Sequence, residues 1–206
     1  MKKLLTALLL FASLLLPMSS AMSADFTYDA KDKAVVMSGP ILEGDGDKFI
    51  KIYNQNKSSV KVVILDTSPG GLVSEAEKII DTVMKNDLNT YAREVCISSC
   101  ALIWLSGKKM YVNKDTFLGA HSIATLSEPP SAKNQHPTSS IDPESMAENG
   151  AILARMGFPD SFIFGYVKNI DLKDNKIFDL QKYAEDFGVI LLNWPVQPDK
   201  KLPENL

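Results

Sequence analysis

Three segments of the sequence carry groups suited to hydrolytic chemistry, and each follows a predicted strand. They are SPGG at residues 68–71, CISSC at residues 96–100, and His121 in the run FLGAHS. A serine hydroxyl becomes a nucleophile when a nearby histidine takes its proton. Glycines after a strand let backbone N–H groups approach a ligand, and such groups before a helix can hold an oxyanion. These residue types therefore suggest nucleophilic attack on a carbonyl carbon.

Each segment also has a plain structural interpretation. Glycine-rich turns between a strand and a helix are common, and SPGG taken alone is better explained as one of them. Serine is a preferred helix cap, so Ser98 or Ser99 would simply begin a helix, and His121 would be a hydrogen-bonded structural histidine. A strand-to-helix junction is nevertheless where a nucleophilic serine is placed, with the next backbone N–H facing the same space. The second histidine, His136, lies in a proline-rich stretch and is expected to be exposed.

The only two cysteines, Cys96 and Cys100, flank the two serines. In an exported chain such a pair meets oxidants, and we expect a disulfide across a turn or a helix start. Two cysteines without a histidine nearby in the sequence are too few for a zinc site, and three intervening residues do not fit a redox motif. We therefore expect no metal and no cofactor.

The first 21 residues are typical of a secretory signal peptide. A basic start at Lys2 and Lys3 precedes an apolar run over residues 4–16, which is followed by small residues that end at Ala21. The apolar run is shorter than the ~20 residues that a membrane-spanning helix needs. We expect cleavage after Ala21, with Ala24 as the alternative, and a periplasmic or secreted mature chain that does not span the membrane. The other interpretation of this segment is an uncleaved anchor.

The composition is that of a globular domain. Of 206 residues, 45% are hydrophobic and 23% are charged, which excludes a disordered polar chain and a polytopic membrane protein. The formal net charge of −3 gives no reason to expect binding to nucleic acid.

The alternation of predicted strands and helices indicates an α/β domain over residues 25–192 with a largely parallel sheet. Strands are predicted at 26–28, 34–37, 60–65, 90–95, 109–112, 116–120 and 189–192. Helices are predicted at 47–56, 74–84, 101–105, 151–156, 160–167 and 178–187. Residues 126–148 are polar, contain four prolines and are predicted to form a long surface loop over the cleft. Residues 193–206 are expected to be a loose tail.

The order of these segments resembles the serine-peptidase branch of the Clp-protease/crotonase superfamily, which includes the Clp proteolytic subunits and the signal-peptide peptidases. The similarity runs from about residue 34 to residue 190. VVMSGPI resembles the first strand and turn, VVILDTSPGG the oxyanion-hole strand and turn, and CISSCALIWLSGKKMYV the nucleophile helix and the strand after it. GAHS matches the segment with the catalytic histidine, and YAEDFGVI resembles a helix-to-strand ending. The resemblance implies a spiral of ββα units with a mostly parallel sheet flanked by helices.

The resemblance also implies a role for individual residues. Ser98 stands at the nucleophile position, and His121 stands at the position of the general base. The N–H groups of Gly71 and Ser99 would form the oxyanion hole. Relatives bind substrate as an added strand, so the implied partner is an extended peptide, and a homo-oligomer is plausible.

The similarity is least complete at the third catalytic position. Lys176 stands where Clp proteases have an aspartate. Asp174, two residues earlier, is the expected orienting acid, unless the triad lacks one or takes it from elsewhere. Signal-peptide peptidases use a lysine base, but residues 134–167 contain no lysine, which favours histidine.

The function that this sequence indicates is an exported serine hydrolase, a peptidase that works through an acyl-enzyme. The alternative is an inactive exported binding or assembly module with the same fold, and the lysine at the acid position supports it. Acyl-CoA chemistry, as in the crotonase branch, fits poorly because an exported chain is separated from coenzyme A.

Overall fold

The computed structural model describes residues 23–113, 115–120, 124–126, 139–141, 143–169, 178–179 and 190–192. The strands are Asp25–Asp29 (β1), Ala34–Ser38 (β2), Val62–Ser68 (β3), Asn89–Ile97 (β4), Met110–Asn113 (β5), Phe117–Ala120 (β6), Ala124–Leu126 (β7), Ser139–Ile141 (β8), Phe178–Asp179 (β9) and Ile190–Leu192 (β10). The helices are Asp45–Asn56 (α1), Val73–Lys85 (α2), Ser99–Leu105 (α3), Pro143–Arg155 (α4) and Asp160–Asn169 (α5).

A mostly parallel sheet forms the centre of the fold, with strand order β1-β2-β3-β4-β5-β10. The pairs from β2 to β5 and the pair β5–β10 are parallel, whereas β1 adds to β2 in the antiparallel sense. The long strand β4 pairs with β5 through residues 90–92 and with β6 through residues 95–97. Because β4 changes its pairing partner along its length, β6 lies beside the end of β4, where α3 begins.

Buried side chains cover both faces of the central strands. In β3, Val63 and Leu65 belong to the main core, whereas Val62 and Ile64 join a smaller cluster with Tyr91 on the other face. Strands of this kind have near-continuous apolar sequences because both sides are covered. Helix α2 faces the main core through Ala76, Ile79, Ile80 and Val83, which recur at helical spacing.

The structure confirms the α/β fold class and most of the predicted elements. The predicted surface loop over residues 126–148 is wrong in its second half, where Ser139–Ile141 pairs with β7 as β8 and α4 begins at Pro143. Proline is favoured in the first turn of a helix, so Pro143 begins a helix here. The predicted helix over residues 178–187 is also wrong at its start, where Phe178 and Asp179 pair with β6 as strand β9. The predicted signal peptide and tail lie outside the described residues.

None of the helices that the structure describes is both long enough and apolar enough to cross a membrane.

Trp104 is the largest fully buried side chain of the described core, and its indole Nε1 donates a hydrogen bond to the Tyr111 carbonyl at 2.8 Å. Substitution Trp104→Ala should lower the free energy of unfolding by ~3–5 kcal/mol, measured by urea denaturation followed by circular dichroism. Trp104→Phe keeps most of the volume and should cost less. Phe164→Ala is the control, since this ring is 70% exposed. Equal losses for Trp104→Ala and Phe164→Ala would contradict the assignment of Trp104 to the core.

Candidate active site

Ser98 lies at a sharp turn between β4 and α3. Its backbone has φ 60° and ψ −128°, a conformation that costs free energy in a residue other than glycine. The Ser98 N–H donates to the Gly119 carbonyl at 2.9 Å, and the Ser98 carbonyl accepts from Ala101 N–H at 2.9 Å. This strained turn from a strand into a helix is the geometry of a nucleophile elbow.

The interpretation of Ser98 as a side-chain cap is wrong. Ser98 occupies the N-cap position of α3, but its side chain makes no capping hydrogen bond. Its side chain is half-buried, and no residue that the structure describes is hydrogen-bonded to its hydroxyl. The other serine, Ser99, is 1% exposed and donates its hydroxyl to the Gly71 carbonyl at 3.1 Å. The two serines therefore differ: within the described part of the chain, the Ser99 hydroxyl is bonded to the backbone and the Ser98 hydroxyl is not.

The glycine turn after β3 lies directly against this elbow. A Cβ atom on Gly70, where φ is +85°, would lie 2.5 Å from the Ile97 oxygen, 2.8 Å from Ser98 Cβ and 2.9 Å from the Ser99 nitrogen. No side chain fits in that space. The Ser68 hydroxyl, buried beneath the turn, accepts the Gly70 N–H at 3.2 Å. Gly70 is thus required for the close approach of two backbone segments.

Ile41 fixes the direction of the Gly71 N–H. The Ile41 N–H donates to the Gly70 carbonyl and its carbonyl accepts from Leu72 N–H, both at 2.9 Å. In extended backbone, successive residues point their N–H and C=O groups to opposite sides. Gly71 therefore turns both groups away from Ile41 and toward the elbow, in agreement with the bond from Ser99 to its carbonyl.

Two backbone N–H groups are available beside Ser98. The N–H of Ser99 belongs to the first turn of α3, where no intrahelical acceptor exists. In the described part of the chain, neither this N–H nor that of Gly71 has an acceptor. A pair of fixed N–H donors next to a serine hydroxyl is an arrangement that could hold a developing oxyanion.

The two cysteines join the end of strand β4 to the first turn of helix α3. Cys96 and Cys100 form a disulfide with their Cα atoms 5.3 Å apart, and both side chains are fully buried. The bond spans the Ser98 turn on its core side, and Cys96 pairs with Ser68 in the sheet. The strained elbow is thus connected covalently across its base.

The predicted base and acid fall outside the described residues. His121 follows β6 directly, and Gly119, two residues before it, accepts the Ser98 N–H. The register of β4 with β6 therefore brings the chain to the elbow just before His121. The roles of His121 and Asp174, like the contact of either with Ser98, stay predictions.

The sequence analysis assigned no individual role to two residues that shape the site. Ile41 acts through its backbone, and Ser68 acts through a buried hydroxyl. Ser68 belongs to the SPGG segment, and its position two residues before Gly70 is a common spacing for a hydroxyl that accepts a turn N–H. Ile41 has no comparable sequence pattern, because its partners lie about 30 residues away in the chain.

Solved structures share this fold. A mutant form of a membrane-bound stomatin-specific protease, 1510-N, is 14% identical with a TM-score of 0.52, and the match covers 78% of each chain. ClpP1 from Listeria monocytogenes is 16% identical with a TM-score of 0.53, over 80% of this chain and 93% of that one. A peptidase from Plasmodium falciparum is 16% identical with a TM-score of 0.55, and the match covers 78% of this chain and 95% of that one.

No protein-family model and no curated protein sequence matches the chain. The likeness to solved structures shows a Clp-protease-like fold: a mixed α/β architecture with a mostly parallel sheet flanked by helices. At this level of identity the likeness concerns the fold alone.

The close approach at Gly70 has a direct test in stability. Gly70→Ala should lower the free energy of unfolding by more than the ~1–3 kcal/mol that a strained backbone costs, because the new methyl also meets Ile97 and Ser98. Gly157→Ala is a matched control, since Gly157 has φ +83° and no atom within 4 Å of its would-be Cβ. Urea denaturation of both variants measures the difference. Equal losses would show that Gly70 is needed only for its backbone angles.

Proposed function

We propose that this protein is an exported serine hydrolase, a peptidase in which Ser98 is the nucleophile and His121 the general base. The observation that supports it best is the pair of backbone N–H groups, of Gly71 and Ser99, beside a strained serine elbow. The Clp-protease-like fold of the chain supports the same proposal. A glycine turn that served only to connect β3 with α2 would not need to contact the elbow.

The reaction begins when the Ser98 hydroxyl attacks the substrate carbonyl and His121 takes its proton. The negative charge that forms on the carbonyl oxygen is stabilised by the N–H groups of Gly71 and Ser99, each worth ~3 kcal/mol of the barrier. His121 then protonates the leaving amine, and water hydrolyses the acyl-enzyme to release the second product. Asp174 orients the imidazole, and a substitute or missing acid would reduce activity without abolishing it.

The substrate is an extended peptide that adds as a strand next to the Gly71 segment. Leu72, which follows Gly71, is 46% exposed and offers apolar contact to a substrate residue. Main-chain hydrogen bonds give affinity in this binding mode, and side-chain pockets give specificity. A homo-oligomer, which the family resemblance implies, is part of the same proposal.

Export to the periplasm or the cell exterior accounts for both the predicted signal peptide and the disulfide. The basic, apolar and small-residue order of residues 1–21 directs secretion. Disulfides persist in oxidising compartments and are rare in the cytosol.

A second candidate is a binding or assembly module that keeps the fold without catalysis. Lys176, at the position where Clp proteases have their aspartate, favours it. The two candidates differ in the reactivity of Ser98 alone.

Labelling with a fluorophosphonate separates the two functions. Wild-type protein should be labelled, and Ser98→Ala should not, with a fall of about 10⁴-fold or more in peptide hydrolysis. Ser99→Ala removes a hydroxyl but retains the backbone N–H, and it should still be labelled. Absence of label on folded wild type, or equal label on wild type and Ser98→Ala, would favour the binding module.

The disulfide should hold the elbow in its reactive geometry. In the double variant Cys96→Ala/Cys100→Ala the free energy of unfolding should be lower by ~2 kcal/mol, as expected for the loss of a disulfide that closes a short loop. Its rate of labelling at Ser98 should fall under conditions where circular dichroism shows it folded. An unchanged labelling rate in the folded double variant would mean that the disulfide stabilises the fold without positioning the nucleophile.

A further inference from the structure

The first residues that the structure describes are packed into the fold. Ala24 is 4% exposed, and its backbone nitrogen lies 3.0 Å from Asp45 Oδ2. Ser23, one residue earlier, is only half-buried and contacts the Lys48 ammonium through its hydroxyl. Ala24 is therefore the first buried residue of the described chain, ahead of β1, which begins with an exposed Asp25 and a buried Phe26.

Asp45 is a fully buried carboxylate. Its Oδ2 accepts from the backbone nitrogens of Ala24 and of Leu42, the latter at 2.8 Å, and its Oδ1 accepts from Lys48 Nζ at 2.8 Å. Burial alone would raise the pKa of Asp45, but the hydrogen bonds from Lys48, Leu42 and Ala24 hold this pKa below its ordinary value. The carboxylate is therefore an anion at neutral pH, and each of its three hydrogen-bond donors helps to stabilise the buried negative charge.

The sequence before Ala24 fits a leader-peptidase site at the Ser23–Ala24 bond. Cleavage between Ser23 and Ala24 places Ser23 and Ala21 at the two positions where small residues are required. Cleavage after Ala24 would place Met22 at one of these positions and would also remove a donor from a buried carboxylate. Leaving such a group without a partner costs ~1–3 kcal/mol, and more for a charged one.

We propose that the mature chain begins at Ala24 and that its α-ammonium group forms a buried ion pair with the Asp45 carboxylate. Hydrolysis of the Ser23–Ala24 bond consumes one water molecule, leaves a carboxylate on Ser23 of the leader and gives the ammonium on Ala24. The catalyst is a leader peptidase specific for small residues. A charged donor then replaces the amide N–H, and charge-assisted hydrogen bonds are about twice as strong as neutral ones.

The ion pair lies at one end of a short chain of contacts to the candidate active site. Asp45 also holds the Leu42 N–H, and Leu42 follows Ile41, whose N–H and carbonyl flank Gly71. The ammonium of Lys48 is bound to the other carboxylate oxygen of Asp45 at 2.8 Å. The new amino terminus rests on the export proposed above, but it does not require the hydrolase activity.

N-terminal sequencing of the exported protein tests the cleavage site. The full chain is expressed in a bacterium, recovered from the periplasm or medium, and should give Ala-Asp-Phe. A start at Met-Ser-Ala or Asp-Phe-Thr would overturn the proposal while leaving export intact. An unprocessed chain retained in the cytosol would overturn both. A start at Ala24 without fluorophosphonate labelling would contradict the hydrolase alone.

The reactivity of the α-amine tests the ion pair. An amine-acylating reagent near neutral pH should modify the α-amine of the folded mature protein at least roughly tenfold more slowly than in urea, a factor that equals one unit of pKa. Asp45→Asn should restore fast modification, whereas Asp47→Asn, on an exposed side chain of the same helix, should not. Equal rates for folded and unfolded wild type would show a free terminus, even if Asp45→Asn fails to fold.

Discussion

Contact between two backbone segments, the glycine turn after β3 and the elbow after β4, is the constraint on which the candidate site depends. At Gly70 the segments approach so closely that a single methyl group would meet three atoms of the elbow. This contact holds the Gly71 segment against the Ser98 turn, where the Ser99 hydroxyl also binds the Gly71 carbonyl. In the proposed hydrolase the N–H donors of Gly71 and Ser99 would act without reorganising during the reaction, because the fold has already placed them.

The rest of the fold keeps these two segments in register. Parallel pairing of β3 with β4 extends to Ser68 and Cys96, so the two turns leave the sheet side by side. Helix α3 is fixed at its far end, where Thr90 Oγ1 donates to the Trp104 carbonyl at 2.6 Å. The elbow is therefore held from the sheet, from the helix and through the disulfide, which is how a strained φ at Ser98 persists.

Local sequence patterns predicted the parts of this arrangement that depend on neighbours in the chain. The apolar run of β3, the periodicity of α2 and the serines at a strand-to-helix junction all indicated their structures. Contacts between distant segments were not predictable in this way: Ile41 beside Gly71, or Phe178 as a strand beside β6, has no local pattern. The prediction of a loop at Pro143 was wrong because proline is common both in loops and in the first turn of a helix, and the local sequence does not distinguish them. The order of the three segments indicated the fold, whereas their mutual geometry depends on contacts between residues that are far apart in the chain.

The burial of both cysteines has a consequence for how the protein is made. Neither sulfur is accessible once the sheet and α3 have packed, so oxidants and thiol reagents reach the pair only while the chain is still open. The redox state beneath the elbow is consequently decided during maturation. A chain that folds in a reducing medium keeps two buried thiols. After transfer to an oxidising medium, these thiols form the disulfide no faster than the region around them unfolds locally.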